Sequence, residues 1–96
     1  MTIRKILVVD DSPTERYVLN ELLTSNGYQV ITAENGEEGI AKARSELPDL
    51  ILMDVVMPGL NGYQATRTLT RDPATRSIPV IVCTTKGQET DKISVS

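Results

Sequence analysis

Leu50-Ile51-Leu52-Met53-Asp54 lies between Pro48 and Pro58, and an apolar run this short, closed off by prolines at both ends, reads as a strand rather than a helix. A strand apolar on both faces needs cover on both faces, which a parallel sheet with helices on either side provides. This strand also delivers a carboxylate at its end. In open α/β sheets the binding crevice lies outside the carboxyl ends of the strands, so Asp54 is the first candidate site residue. The same punctuation recurs where Ile6-Leu7-Val8-Val9 runs into Asp10-Asp11, and where Val80-Ile81-Val82-Cys83 runs into Thr84-Thr85. Three strands that end in oxygen-bearing side chains predict one polar site along a common edge.

Between the strands the pattern is helical. The first strand spans about Arg4 to Val9. Ser12-Pro13-Thr14-Glu15 then matches a capping box with proline at the first helical position, followed by Val18, Leu19, Leu22 and Leu23 as the expected core stripe and Asn26-Gly27 as the stop. Tyr28 to Ala33 is rich in β-branched residues and reads as the second strand. Asn35-Gly36-Glu37-Glu38 caps a second helix with Ile40, Ala43 and Leu47 as its stripe, ended by Pro48. A loop from Val55 to Gly62, rich in proline and glycine, is expected to keep backbone close to Asp54. A third helix runs from about Asn61 to Arg71, burying Tyr63 or Thr66 together with Leu69. Asp72-Pro73 turns the chain into the fourth strand, and Lys86 to Lys92 could begin a fourth helix. This alternation predicts an α/β fold, a three-layer doubly wound parallel sheet with right-handed crossovers.

The 96 residues make one small domain, with only about 60–65 % of the unfolded surface buried on folding. Ten basic against 13 acidic residues give a net charge of −3 without a basic cluster, which argues against a grip on nucleic acid. The lone Cys83 cannot form an internal disulfide and reads as a small hydrophobe. Asp10 and Asp11 interrupt the first apolar stretch too early for a signal-peptide core or a membrane span. The expected location is therefore cytoplasmic. Histidine is absent, which removes the commonest general base and any phosphohistidine of the chain's own.

If the first and third strands are neighbours, Asp10, Asp11 and Asp54 converge. Three carboxylates without imidazole or thiolate form a hard oxygen site suited to magnesium. Taken alone, the Asp10-Asp11 pair also reads as solvated turn residues. A carboxylate beside magnesium can attack a phosphoryl group and become an aspartyl phosphate. Thr84 could give its hydroxyl to a phosphoryl oxygen, or be an ordinary residue at a strand end. Lys86 and Lys92 could offer a cation or simply be solvated. No glycine-rich nucleotide-binding signature occurs.

The stretches Leu7-Val8-Val9-Asp10-Asp11-Ser12, Ala33-Glu34-Asn35-Gly36, Leu52-Met53-Asp54 through Gly62, and Ile78-Pro79 through Thr85 resemble the receiver domain of two-component response regulators, the CheY-like family. Asp11 to Glu15 and Thr84 to Lys92 look most like the single-domain receivers of type IV pilus twitching systems. The resemblance implies that Asp54 accepts phosphate from a histidine kinase, that Asp10, Asp11, Asp54 and the backbone carbonyl of Val56 hold magnesium, and that Thr84 is the switch hydroxyl. It implies a protein that signals to a downstream protein target by contact and is not an enzyme beyond self-phosphotransfer and self-dephosphorylation. The family's sheet has five strands in the order 2-1-3-4-5, with a phosphoryl-contacting lysine closing the fifth. Ser94-Val95-Ser96 does not continue that pattern, so the expectation is a receiver domain over residues 1–96, incomplete at its carboxyl end, with strand order 2-1-3-4. The apolar edge of the fourth strand would then invite a homodimer. Two other functions fit less well. One is a non-phosphorylatable receiver that acts only as an interaction module. The other is an Asp-nucleophile phosphatase, which needs a second acid where this chain has Val56.

Overall fold

The computed structural model describes residues 2–54 and 62–83. Seven elements alternate: β1 (Lys5–Val9), α1 (Pro13–Ser25), β2 (Gln29–Ala33), α2 (Gly36–Glu46), β3 (Leu50–Asp54), α3 (Gly62–Arg71) and β4 (Val80–Cys83). The strands form one parallel sheet, as the alternation predicts, in the order β2-β1-β3-β4 that the resemblance implies. Alternate side chains of each strand point to opposite faces. Leu7, Val9, Ala33, Ile51 and Met53 face α2 and α3, and with Ala43, Ala65 and Leu69 they make the core. Ile6 and Val8, also buried, face the other way toward α1. Among the described residues, no helix is long and apolar enough to cross a membrane.

Helix ends follow the predicted chemistry. Ser12 caps α1 by accepting the Glu15 N–H, and Asn35 caps α2 by accepting the Glu38 N–H. Gly27, at φ +91°, turns the chain after α1 where a side chain would be strained.

The helical stripes are corrected in three places. No residue of α1 is fully buried, and Val18 and Leu22 are more than half exposed. Leu19 and Leu23 lean on the sheet, and the 18/22 flank faces away from it. Leu47 does not join the core of α2. It caps the helix in the left-handed region at φ 47° and is exposed. In α3 the buried position is Ala65 beside Leu69, while Tyr63 is exposed and Thr66 is partly buried.

The reason in α2 is close approach. A Cβ on Gly39 would stand 2.8 Å and 3.1 Å from the two methyl carbons of Val9, so glycine lets the helix settle on β1. Gly39→Ala is expected to lower the urea midpoint. Overpacking costs about 1–3 kcal/mol and outweighs the gain of about 1 kcal/mol in helix propensity. Val9→Ala should cost less in the Gly39→Ala background than in the parent, because the two side chains compete for the same space.

Carboxylates tie the ends of the elements. Asp49 accepts the N–H groups of Arg4 and Lys5, which hold its carboxyl below the usual range. The Ala74 N–H and then the Arg44 guanidinium do the same for Asp72. Because the folded-state pKa is lowered, the stabilisation is present above the unfolded value near 4 and is lost as pH falls through the folded value. Asp49→Asn should therefore unfold at lower urea than the parent at pH 6, with the gap closing on acidification below about pH 4.

Candidate functional site

The register builds the site. Val9 pairs with Met53 across β1 and β3, so the next residues, Asp10 and Asp54, emerge side by side at the carboxyl edge of the sheet. Asp11 follows in the turn that leads to α1. Oxygens of Asp10, Asp11 and Asp54 all lie within 4.8 Å of one another. Asp54 is 3 % exposed and Asp10 7 %, while Asp11 is half-buried. The three carboxylates that the sequence predicts are thus brought together.

Asp10 is held from three sides. Its N–H donates to the Ala33 carbonyl and extends the β1–β2 ladder. Its Oδ1 accepts the Ser12 N–H at 2.9 Å. Its carbonyl accepts from the Arg16 guanidinium at 2.6 Å. The second of these corrects the expected capping box, because the N–H of Ser12 goes to Asp10 and not back to Glu15. Arg16 is a residue the sequence reading missed. Its signal was a cation at the end of the first helical turn, where the helix dipole disfavours positive charge.

In the first turn of α2, Glu38 accepts the Glu34 N–H and pairs with Lys42. These two contacts, the backbone one first, lower its pKa, with a small contribution from the charge of Arg16. Lys42 in turn donates to the Thr32 carbonyl, which pins the end of β2 beside Asp10.

The donor set fits magnesium. It consists only of carboxylate oxygens, carries formal charge enough to bind a dication, and leaves room for waters and a phosphoryl oxygen, as that ion prefers. Val56, Thr84, Lys86, Lys92, the Val55 to Asn61 stretch with the helix start expected at Asn61, and the Cys83 side chain lie outside the described residues.

The comparisons point the same way. A family model described as the response regulator receiver domain matches residues 6–96. Protein PilH of Pseudomonas aeruginosa is 63 % identical over 89 residues, which cover 93 % of this chain and 74 % of that protein. Response regulator PleD of Caulobacter vibrioides is 44 % identical over 93 % of this chain, which spans only 20 % of PleD. Among solved structures, the receiver domain of a sensor histidine kinase from P. aeruginosa, with a magnesium ion coordinated in its active site cleft, superposes with a TM-score of 0.82. The identity is 34 %, over 88 % of this chain and 70 % of that one.

Proposed function

We propose that this chain, which belongs to the response regulator receiver domain family, takes a phosphoryl group onto Asp54 from the phosphohistidine of a partner kinase and signals by protein contact. The observation that carries this reading is the convergence of three carboxylates on one hard-oxygen site, with Asp54 buried at the end of β3. An oxygen of Asp54 attacks phosphorus as the bond from phosphorus to the donor's imidazole nitrogen breaks. The electron pair leaves on that nitrogen, so the group passes between two side chains without consuming water.

The strand fixes the direction from which Asp54 approaches, and Asp10 and Asp11 are the further residues that would hold magnesium. When bound, the ion neutralises charge on the phosphoryl oxygens. The family resemblance adds the Val56 carbonyl to the ligands and the Thr84 hydroxyl as the switch. The chain itself is then a phosphoacceptor rather than an enzyme acting on a separate substrate. Similarity to PilH supports a pilus-linked motility setting, in the cytoplasm where a kinase would meet it. A second copy is a further partner, carried by the half-exposed Ile81 side chain on β4, the last strand of the described sheet. A monomer on gel filtration at high concentration would remove that partner.

The test is the intact mass after incubation with magnesium and a small phosphodonor, beside Asp54→Asn. One phosphoryl adduct is expected on the parent and none on the variant. A folded parent without an adduct would overturn the phosphoacceptor reading and leave a module that acts by interaction alone.

A further inference from the structure

We infer that Arg16 is a positioning residue for the magnesium site, an inference that rests on the magnesium reading of the three carboxylates. The carbonyl of Asp10 leaves the sheet ladder at the point where the chain turns toward α1. Asp10 is buried there, and a buried carbonyl needs a donor. Arg16 supplies it from the fourth residue of α1 with a charge-assisted hydrogen bond of 2.6 Å. Its backbone N–H closes the first turn of the same helix onto the Ser12 carbonyl. One residue therefore locks both ends of the short turn that carries Asp10 and Asp11.

The placement runs against helix electrostatics, since a cation near a helix N-terminus is disfavoured. The carboxylate cluster, whose Asp10 backbone Arg16 touches, and Glu38, whose carboxyl feels the charge of Arg16, account for it. Two effects on metal binding then oppose each other. A fixed positive charge repels the dication, so its removal alone would tighten binding. Loss of the bracket lets the Asp10–Asp11 turn move, and partners behind metal ligands commonly set affinity by about 10–100-fold. The hydrogen bond to the backbone beside both ligands makes the second effect the larger one.

The experiment is calorimetric titration of magnesium into the intact chain, without phosphodonor, for the parent, Arg16→Gln and Arg16→Lys. Urea midpoints are measured alongside, with chelator and with saturating magnesium. Arg16→Gln is expected to bind roughly tenfold more weakly, with Arg16→Lys recovering part of the loss through its charge and its ammonium donors. The rise in urea midpoint on adding magnesium at a fixed concentration should shrink in step. A role confined to folding would lower the chelator midpoint and leave that rise unchanged, which would overturn the proposal. Unchanged or tighter binding by Arg16→Gln would overturn it as well. A parent that shows no magnesium response would remove the magnesium reading together with this inference, whereas a parental response kept in full by Arg16→Gln removes only the inference.

Discussion

In metal-free buffer, Asp54→Asn is expected to unfold at a higher temperature than the parent, although it removes the carboxylate proposed to accept the phosphoryl group. Oxygens within 4.8 Å of one another repel by roughly 3 kcal/mol per charged pair at an effective dielectric near 20, and Asp54 belongs to two such pairs. Part of that repulsion is already offset. Asp10 accepts the Ser12 N–H, the N-terminus of α1 lies next to the cluster, and Arg16 brings a cation. A net gain of about 1–3 kcal/mol remains for the neutral amide, or about 5–15 °C in midpoint for a domain of this size.

Magnesium should reverse the order or erase the difference. An ion at one hundred times its dissociation constant stabilises the folded state by about 2.7 kcal/mol, and it would do so for the parent alone. Thermal scans of both proteins in chelator and in magnesium check this. A variant that melts below the parent in chelator would show that the three carboxylates are not under mutual repulsion. The case for a cation to relieve that repulsion would then fall.

The legibility of this site in the sequence follows from how it is built. A strand that is apolar on both faces has few alternatives, so β3 matches its predicted span, Leu50–Asp54. Parallel neighbours that end together bring their following residues together, so Asp10, Asp11 and Asp54 could be grouped before any coordinates. Caps were equally plain, because Ser12 and Asn35 announce helix starts by side-chain chemistry.

What escaped was chemistry carried by the backbone and by small residues. Hydrophobic periodicity marks Val18 and Leu22 as strongly as Leu19 and Leu23, yet which flank leans on the sheet depends on the helix's rotation about its axis. Gly39 and Ala65 carry little hydrophobic signal, yet Gly39 stands where α2 meets Val9 of β1 and Ala65 is fully buried in the core. The Asp10 bonds to Ser12 and Arg16 engage an N–H and a carbonyl whose directions are set only once the turn has formed. Thr75 escaped for the same reason. It is fully buried, and its hydroxyl donates to the Leu69 carbonyl at 2.7 Å, closing the end of α3 in a way no local motif announces.

Ile51→Ala is expected to cost about 3–4 kcal/mol, within the range of about 2–5 for removing a buried isoleucine. That is a large share of the stability of a small domain. Ile51 is the second residue of β3 and fully buried, in register with Leu7 on one side and Val80 on the other, and its side chain belongs to the core beneath α2 and α3. Little beneath those helices can collapse into the space. Ala43 and Ala65 are too small to fill it, and Leu7 and Met53 are fixed in the ladder.

Ile51→Val should cost only about 0.5–1.5 kcal/mol, which separates lost volume from lost shape. The same strand holds Asp54 three residues further on, roughly 10 Å away at about 3.3 Å per residue. Changes that far apart without shared partners add to within about 0.5 kcal/mol. Urea titrations in chelator should then find that Asp54→Asn gives back to Ile51→Ala what it gives to the parent. A double variant that departs from the sum by more than that would mean the strain of the carboxylate cluster is carried down β3 into the core. In that case metal binding at the edge would be coupled to packing at the centre of the sheet.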